Sequence, residues 1–82
     1  MLTPFTTEEK ALLEAEDYSP EDKEELCWMR RRSVPRECGC CSESEFYIVT
    51  KVGEEFFGTY RPWSGSDENT ANTDLQQLLD RL

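Results

Sequence analysis

The chain has 82 residues, with 18 Asp and Glu against 9 Lys and Arg, no His and a formal net charge of −9. That length permits one small domain with a modest core and excludes a large multidomain enzyme. The acidity disfavours unaided binding to nucleic acid or to an anionic membrane, which needs cations that displace counterions, and favours a partner of opposite charge.

Leu, Ile, Val and Phe supply 16 of the 82 residues, close to the composition at which a charged chain stays unfolded, but two Trp, three Tyr and clear local periodicity argue for a folded domain. No apolar run approaches the roughly 20 residues of a membrane span, and Met1-Leu2-Thr3-Pro4-Phe5 lacks the basic and apolar regions of a signal peptide. A cytoplasmic location is therefore expected. In a reducing compartment the four cysteines read as thiols or metal ligands before they read as a disulfide framework.

Thr6-Thr7-Glu8-Glu9 is a capping box, and the residues after it predict a first helix over about 7–16. Ser19-Pro20-Glu21-Asp22 repeats the signal, with Ser as cap and Pro where no amide is needed, and predicts a second helix over about 20–32. Its acids would lie at the positive end of the helix dipole and Arg30, Arg31 and Arg32 at the negative end, with Ser33-Val34-Pro35 as the stop.

After the compact linker Cys38-Gly39-Cys40-Cys41-Ser42, the β-formers Phe46 to Val52 and Glu55 to Arg61 flank Gly53-Glu54, which predicts a β-hairpin over about 45–61 with a type II′ turn. Phe46, Ile48 and Val52 share one face and Tyr47 and Val49 the other, so both faces carry apolar surface and one must pack on helices. Residues 62–72 are polar and rich in breakers, and predict an exposed loop. Thr73-Asp74-Leu75-Gln76 reads as a further capping box, opening a helix over about 74–82 whose Leu75, Leu78, Leu79 and Leu82 form one apolar stripe. Together these elements predict a single α+β domain with two N-terminal helices, an antiparallel hairpin or small sheet and a C-terminal amphipathic helix.

The absence of His, of a Gly-rich phosphate loop and of a nucleophile elbow argues against an enzyme. Cys38, Cys40 and Cys41 crowd into four residues and Cys27 lies eleven upstream, so four thiolates are candidate ligands of one structural zinc. The C-x-C-C spacing is unlike the usual paired ligands, and the competing reading makes Cys27 a small buried hydrophobe and the others turn thiols. Of the aromatic residues, Trp28, Phe56 and Tyr60 suit the core together with Phe46, Ile48 and Val52, whereas Trp63, set between Pro62 and Ser64, suits an interface anchor.

Charge is segregated, with −7 over residues 1–29, +4 over 30–36 and −6 over 37–82. The acids Glu14, Glu16, Asp17, Glu21, Asp22, Glu24 and Glu25 are candidates for a face that engages a basic groove in place of phosphates, against the alternative of a solvated surface that merely aids solubility. In size, acidity and dense capping the chain resembles small inhibitory proteins encoded by bacteriophages, anti-CRISPR and DNA-mimic proteins among them; the resemblance lies in composition and in no motif. It implies stoichiometric binding to a nucleic-acid-handling host protein. Two further expectations stand beside it: a zinc-stapled adaptor that recognises its partner through the hairpin or Trp63, and a homodimer paired through Leu75, Leu78, Leu79 and Leu82.

Overall fold

The computed structural model describes residues 1–35, 42–63 and 65–82, with the side chains of residues 34, 35 and 42 left aside. Helix α1 (Thr7–Ala15) is followed by β1 (Ser19–Pro20), β2 (Cys27–Pro35), β3 (Ser42–Val52), β4 (Glu55–Arg61), β5 (Glu68–Asn72) and α2 (Leu75–Arg81). The strands form one five-stranded antiparallel sheet in the order β1-β2-β3-β4-β5. The expected α+β arrangement with two N-terminal helices is thus replaced by a β-meander with two short helices.

The largest correction is the segment expected as the helix 20–32. Helix propensities differ by only tenths of a kcal/mol per residue, whereas the ladder between β2 and β3 pairs nine residues and places Trp28 opposite Val49. Trp28 is 1 % exposed, and burying a ring of that size outweighs the summed helix preference of its neighbours. The capping residues serve a turn instead. Pro20 sits in an edge strand opposite Trp28, and Asp22 Oδ1 accepts hydrogen bonds from the Leu26 and Cys27 amides at 2.9 and 3.3 Å. Glu25 takes a positive φ of 57°, and its carbonyl accepts the Trp28 indole N–H at 2.8 Å.

The first helix forms where its capping box predicts. The Thr6 amide donates to Glu9 Oε1 at 2.8 Å and the Glu9 amide to Thr6 Oγ1 at 3.2 Å. It ends in a Schellman motif built on a non-glycine residue. Asp17 has φ 67°, its amide donates to the Glu14 carbonyl, and the Tyr18 amide donates to the Leu13 carbonyl while both side chains are buried. The hairpin is also present. Val52 pairs with Glu55 across Gly53-Glu54, and a positive φ at Gly53 (63°) but not at Glu54 is the sign pattern of a type II′ turn.

Two further expectations shift. Residues 68–72, expected within a loop, pair with β4 from Tyr60↔Glu68 to Phe56↔Asn72. The terminal helix is capped by Asp74, one residue later than Thr73, with the Gln77 amide donating to Asp74 Oδ1 at 3.2 Å.

Alternation assigns the faces. On the inner face, Trp28, Val49 and Gly58 form one row and Tyr47 and Tyr60 the next. Phe5, Leu13 and Tyr18 close over this face at one side, and Leu75, Leu78 and Leu79 of α2 close over β4 and β5. Phe5 stacks on Phe56 at 6.1 Å and meets Trp28 edge-on at 6.3 Å. Phe46, Ile48 and Val52, expected in the core, lie on the outer face instead, the first two half-buried and Val52 exposed. Among the described residues no helix is long and apolar enough to cross a membrane.

Two contacts generate predictions. A Cβ on Gly58 would stand 2.9 Å from Leu82 Cδ1 and 3.3 Å from Leu78 Cδ1, because α2 lies directly over this position. Gly58→Val should therefore lower stability by about 1–3 kcal/mol, read as a lower Tm by circular dichroism. At the opposite side, Lys51 Nζ contacts Glu9 Oε1 at 2.8 Å and lies 5.4 Å from the centre of the Phe56 ring. Burial pushes the Glu9 carboxyl up, but the bonds from Lys51 and Thr6 and the Lys51 charge outweigh it and hold the group below its ordinary 4.5. Because the folded carboxyl titrates lower than the unfolded one, its contribution is present above the unfolded value and is lost as pH falls through the folded value. Glu9→Gln should cost about 1 kcal/mol at neutral pH and converge on the wild type as pH falls below the folded carboxyl's own value, and a difference that stays constant as pH falls would contradict the assignment.

Candidate functional site

The topology gathers carboxylates that the sequence spreads over three segments. The β1–β2 loop, residues 21–26, and the Gly53-Glu54 turn lie at the same end of the sheet, because Cys27 pairs with Thr50 and Val52 with Glu55. Helix α1 runs beside them. The Lys10 ammonium meets Glu25 Oε2 at 2.7 Å, and the N-terminal segment is tied to the turn by the Thr3 amide donating to the Lys51 carbonyl at 2.7 Å and by the Gly53 amide donating to Thr3 Oγ1 at 2.8 Å. Eleven carboxylates, those of residues 8, 9, 14, 16, 17, 21, 22, 24, 25, 54 and 55, therefore share this end and the adjoining β1 side with three lysines, of which Lys10 and Lys51 are engaged internally.

The seven acids singled out from sequence are all in this region, but they are not equivalent. Glu25 is paired with Lys10, and Asp22 terminates two backbone amides of its own turn. Asp17 is the αL residue that closes α1. Glu14, Glu21 and Glu24 are exposed and Glu16 is half-buried. Glu54 and Glu55, which sequence reasoning passed over, join them through the hairpin turn. The signal was the turn itself, which returns the chain to the end where β2 begins.

Trp63 does not join this group. It is 59 % exposed, but it follows the far end of β4, which runs roughly 20 Å from Glu55 to Arg61. The arginines Arg30, Arg31, Arg32 and Arg61 lie along that far half beside Glu43, Glu45, Asp67 and Glu68, whose charges they offset, so the excess of negative charge falls at the other end of the 43 Å molecule.

The zinc expectation involves Cys27, Cys38, Cys40 and Cys41. Cys27 opens β2, whereas Ser42, the residue after Cys41, pairs with Pro35 at the other end of that strand, roughly 26 Å along the ladder. Cys27 is a free, half-buried thiol whose pKa is pushed up by burial and by the charges of Asp22 and Glu21. Cys38, Cys40 and Cys41 lie outside the described residues. Among the described residues no group of three or more His, Cys, Asp or Glu is arranged to hold a metal ion. In the leucine stripe, Leu75, Leu78 and Leu79 are buried under their own sheet and Leu82 packs against them.

An open groove of about 640 Å³ lies between Tyr47 and Tyr60 on the sheet, Glu68–Thr70 of β5, and Arg81 and Leu82 at the C-terminal end of α2. Its aromatic floor is a self-satisfied ladder. The two rings stack at 5.1 Å, the Arg30 guanidinium lies 5.5 Å over Tyr47, Arg32 donates to Tyr47, and the Tyr60 hydroxyl donates to Glu45, which raises the Tyr60 pKa together with burial. Tyr18, at the β1 side of the core, is pushed up to about 12 by burial against the opposing influence of Arg30, so its hydroxyl stays protonated. Comparison of the chain with family models, with curated proteins and with solved structures finds no match in any of the three.

Proposed function

We propose that this chain is a protein-interaction module that presents its acidic end to a basic, nucleic-acid-binding surface of a partner protein and blocks that surface stoichiometrically. The observation that carries the reading is the gathering of eleven carboxylates by α1, the β1–β2 loop and the β3–β4 turn, with the arginines held at the opposite half. Two of the three local lysines are spent on Glu9 and Glu25, so most of the negative potential faces outward. A field of one sign accelerates encounter with an oppositely charged groove and disfavours wrong partners through like-charge repulsion. In this role the module works by occupancy and not by catalysis. The cytoplasm is its setting, the host's if the chain is phage-encoded, and its compositional likeness to phage-encoded inhibitors belongs with the same proposal.

The test must spare the acids that hold the fold. Reversing Asp22 or Glu25 would remove a turn cap or the Lys10 pair and confound the result. Glu14→Lys, Asp17→Asn and Glu24→Lys combined leave those contacts intact, and Asn tolerates the αL position of Asp17. With a partner captured by the wild-type chain, the triple variant should keep its circular dichroism spectrum and lose at least about tenfold in affinity, chiefly through a slower association rate that in the wild type falls with added salt. Unchanged affinity in a folded variant would contradict the proposal.

A further inference from the structure

The outer face of the sheet carries a group of apolar residues that no helix of the monomer covers. Cys27 and Met29 of β2, Phe46 and Ile48 of β3 are only half-buried, and Val52 and Phe57 are 41 % and 38 % exposed. Both helices and the whole buried cluster lie on the inner face. Contiguous apolar surface of this kind on a small acidic chain marks an interaction site.

The charge pattern on this face points to its occupant. Along β4 the outward residues are Glu55, Phe57, Thr59 and Arg61, and along β3 they are Phe46, Ile48, Thr50 and Val52, with Phe46 beside Arg61 and Val52 beside Glu55. A two-fold axis lying between two such faces and perpendicular to the strands stacks β3 on β3 and β4 on β4 with their directions reversed. That operation sets Glu55 against the Arg61 end, Val52 against Phe46 and Ile48 against Thr50, so the face is complementary to itself. Arg31, in the same row as Phe46, adds to the basic end, and Glu21, whose amide bonds the Cys27 carbonyl, adds to the acidic end. In the free chain Arg61 meets Asp67 at 3.2 Å, an exposed pair of little stability that shares the guanidinium without consuming it. The same reversal places the two acidic ends at opposite extremities, whereas stacking with parallel directions would bring together two chains of net charge −9 at their most negative points.

We infer that the outer sheet face binds a second copy of this chain, forming a two-fold β-sandwich with antiparallel strand directions. This inference shares Glu55 and Glu21 with the acidic-end proposal, but it is read from self-association alone, so either can fail without the other. A face about four strands wide and seven residues long is small for a stable interface, so the expected Kd is on the order of 10 μM.

Sedimentation equilibrium of the full chain in reductant tests it, the reductant excluding a Cys27-linked pair. Up to about 500 μM the mass should rise from 9.6 kDa toward twice that value. Glu55→Arg and Arg61→Glu should each weaken dimerisation at least about tenfold, and the double exchange should restore it, a rescue that a merely structural effect would not produce. Phe57→Glu should give a folded monomer. A monomeric wild-type chain throughout this range, or a dimer unaffected by either single charge reversal, would overturn the inference.

Discussion

The fold depends on the burial of Trp28. Its ring is 1 % exposed, lies in register with Val49 and edge-on to Phe5, and donates its indole N–H to the Glu25 carbonyl at 2.8 Å. Each of these contacts fixes a different part of the molecule. The pairing with Val49 commits residues 27–35 to a strand, Phe5 closes the N-terminal segment over the sheet, and the indole bond holds Glu25 in its positive-φ turn. A buried indole without an acceptor would lose about 1–3 kcal/mol, so the unusual backbone at Glu25 and the placement of the ring sustain one another. Through that turn the core also decides where the charge goes. The loop that carries Glu21, Asp22, Glu24 and Glu25 is anchored at the same end as the Gly53-Glu54 turn, and Lys10 reaches it from α1.

What could be read from sequence was what local chemistry decides. The Thr6–Glu9 capping box, the Gly53 turn and the leucine spacing of α2 are short-range signals, and nothing tertiary opposes them. The segment 20–32 carried equally good local signals, and they were redirected. Ser19 and Pro20 became an edge strand, and Asp22 caps a turn, because the same side-chain chemistry serves helix starts and turns alike. The outward choice of Phe46, Ile48 and Val52 over Tyr47 and Val49 was not legible. Both sets are apolar, and the deciding partners, Trp28 and Phe56, lie in other strands. Strand β5 was hidden for a related reason: Glu68 to Asn72 has polar, breaker-rich composition, and its pairing rests on β4 beside it and α2 folded above.

The candidate site was legible as composition and not as place. The acids from Glu14 to Glu25 could be named from their density, but a helix would have strung them along one axis, whereas the strand fold bunches them with Glu54 and Glu55 and sends Trp63 to the other half. Two physical demands, core burial and charge separation, are met by the same register. The inner face uses the aromatic and leucine residues for stability, the end gathers the carboxylates, and the outer face retains apolar surface that its own chain does not cover. In the antiparallel pair inferred from that surface, the two acidic ends point away from each other. Such a pair would offer a partner two equivalent docking points, with the gain in avidity set by their separation.

Residues 27–35 form a strand paired with β3, and this pairing places the acidic loop at the sheet end. Nuclear magnetic resonance tests it most directly, through proton contacts across the Trp28–Val49 and Arg30–Tyr47 pairs and through exchange of the Trp28 indole proton. The account predicts cross-strand contacts at both pairs and slow indole exchange. Sequential helical contacts over residues 20–32, with a rapidly exchanging indole, would contradict it.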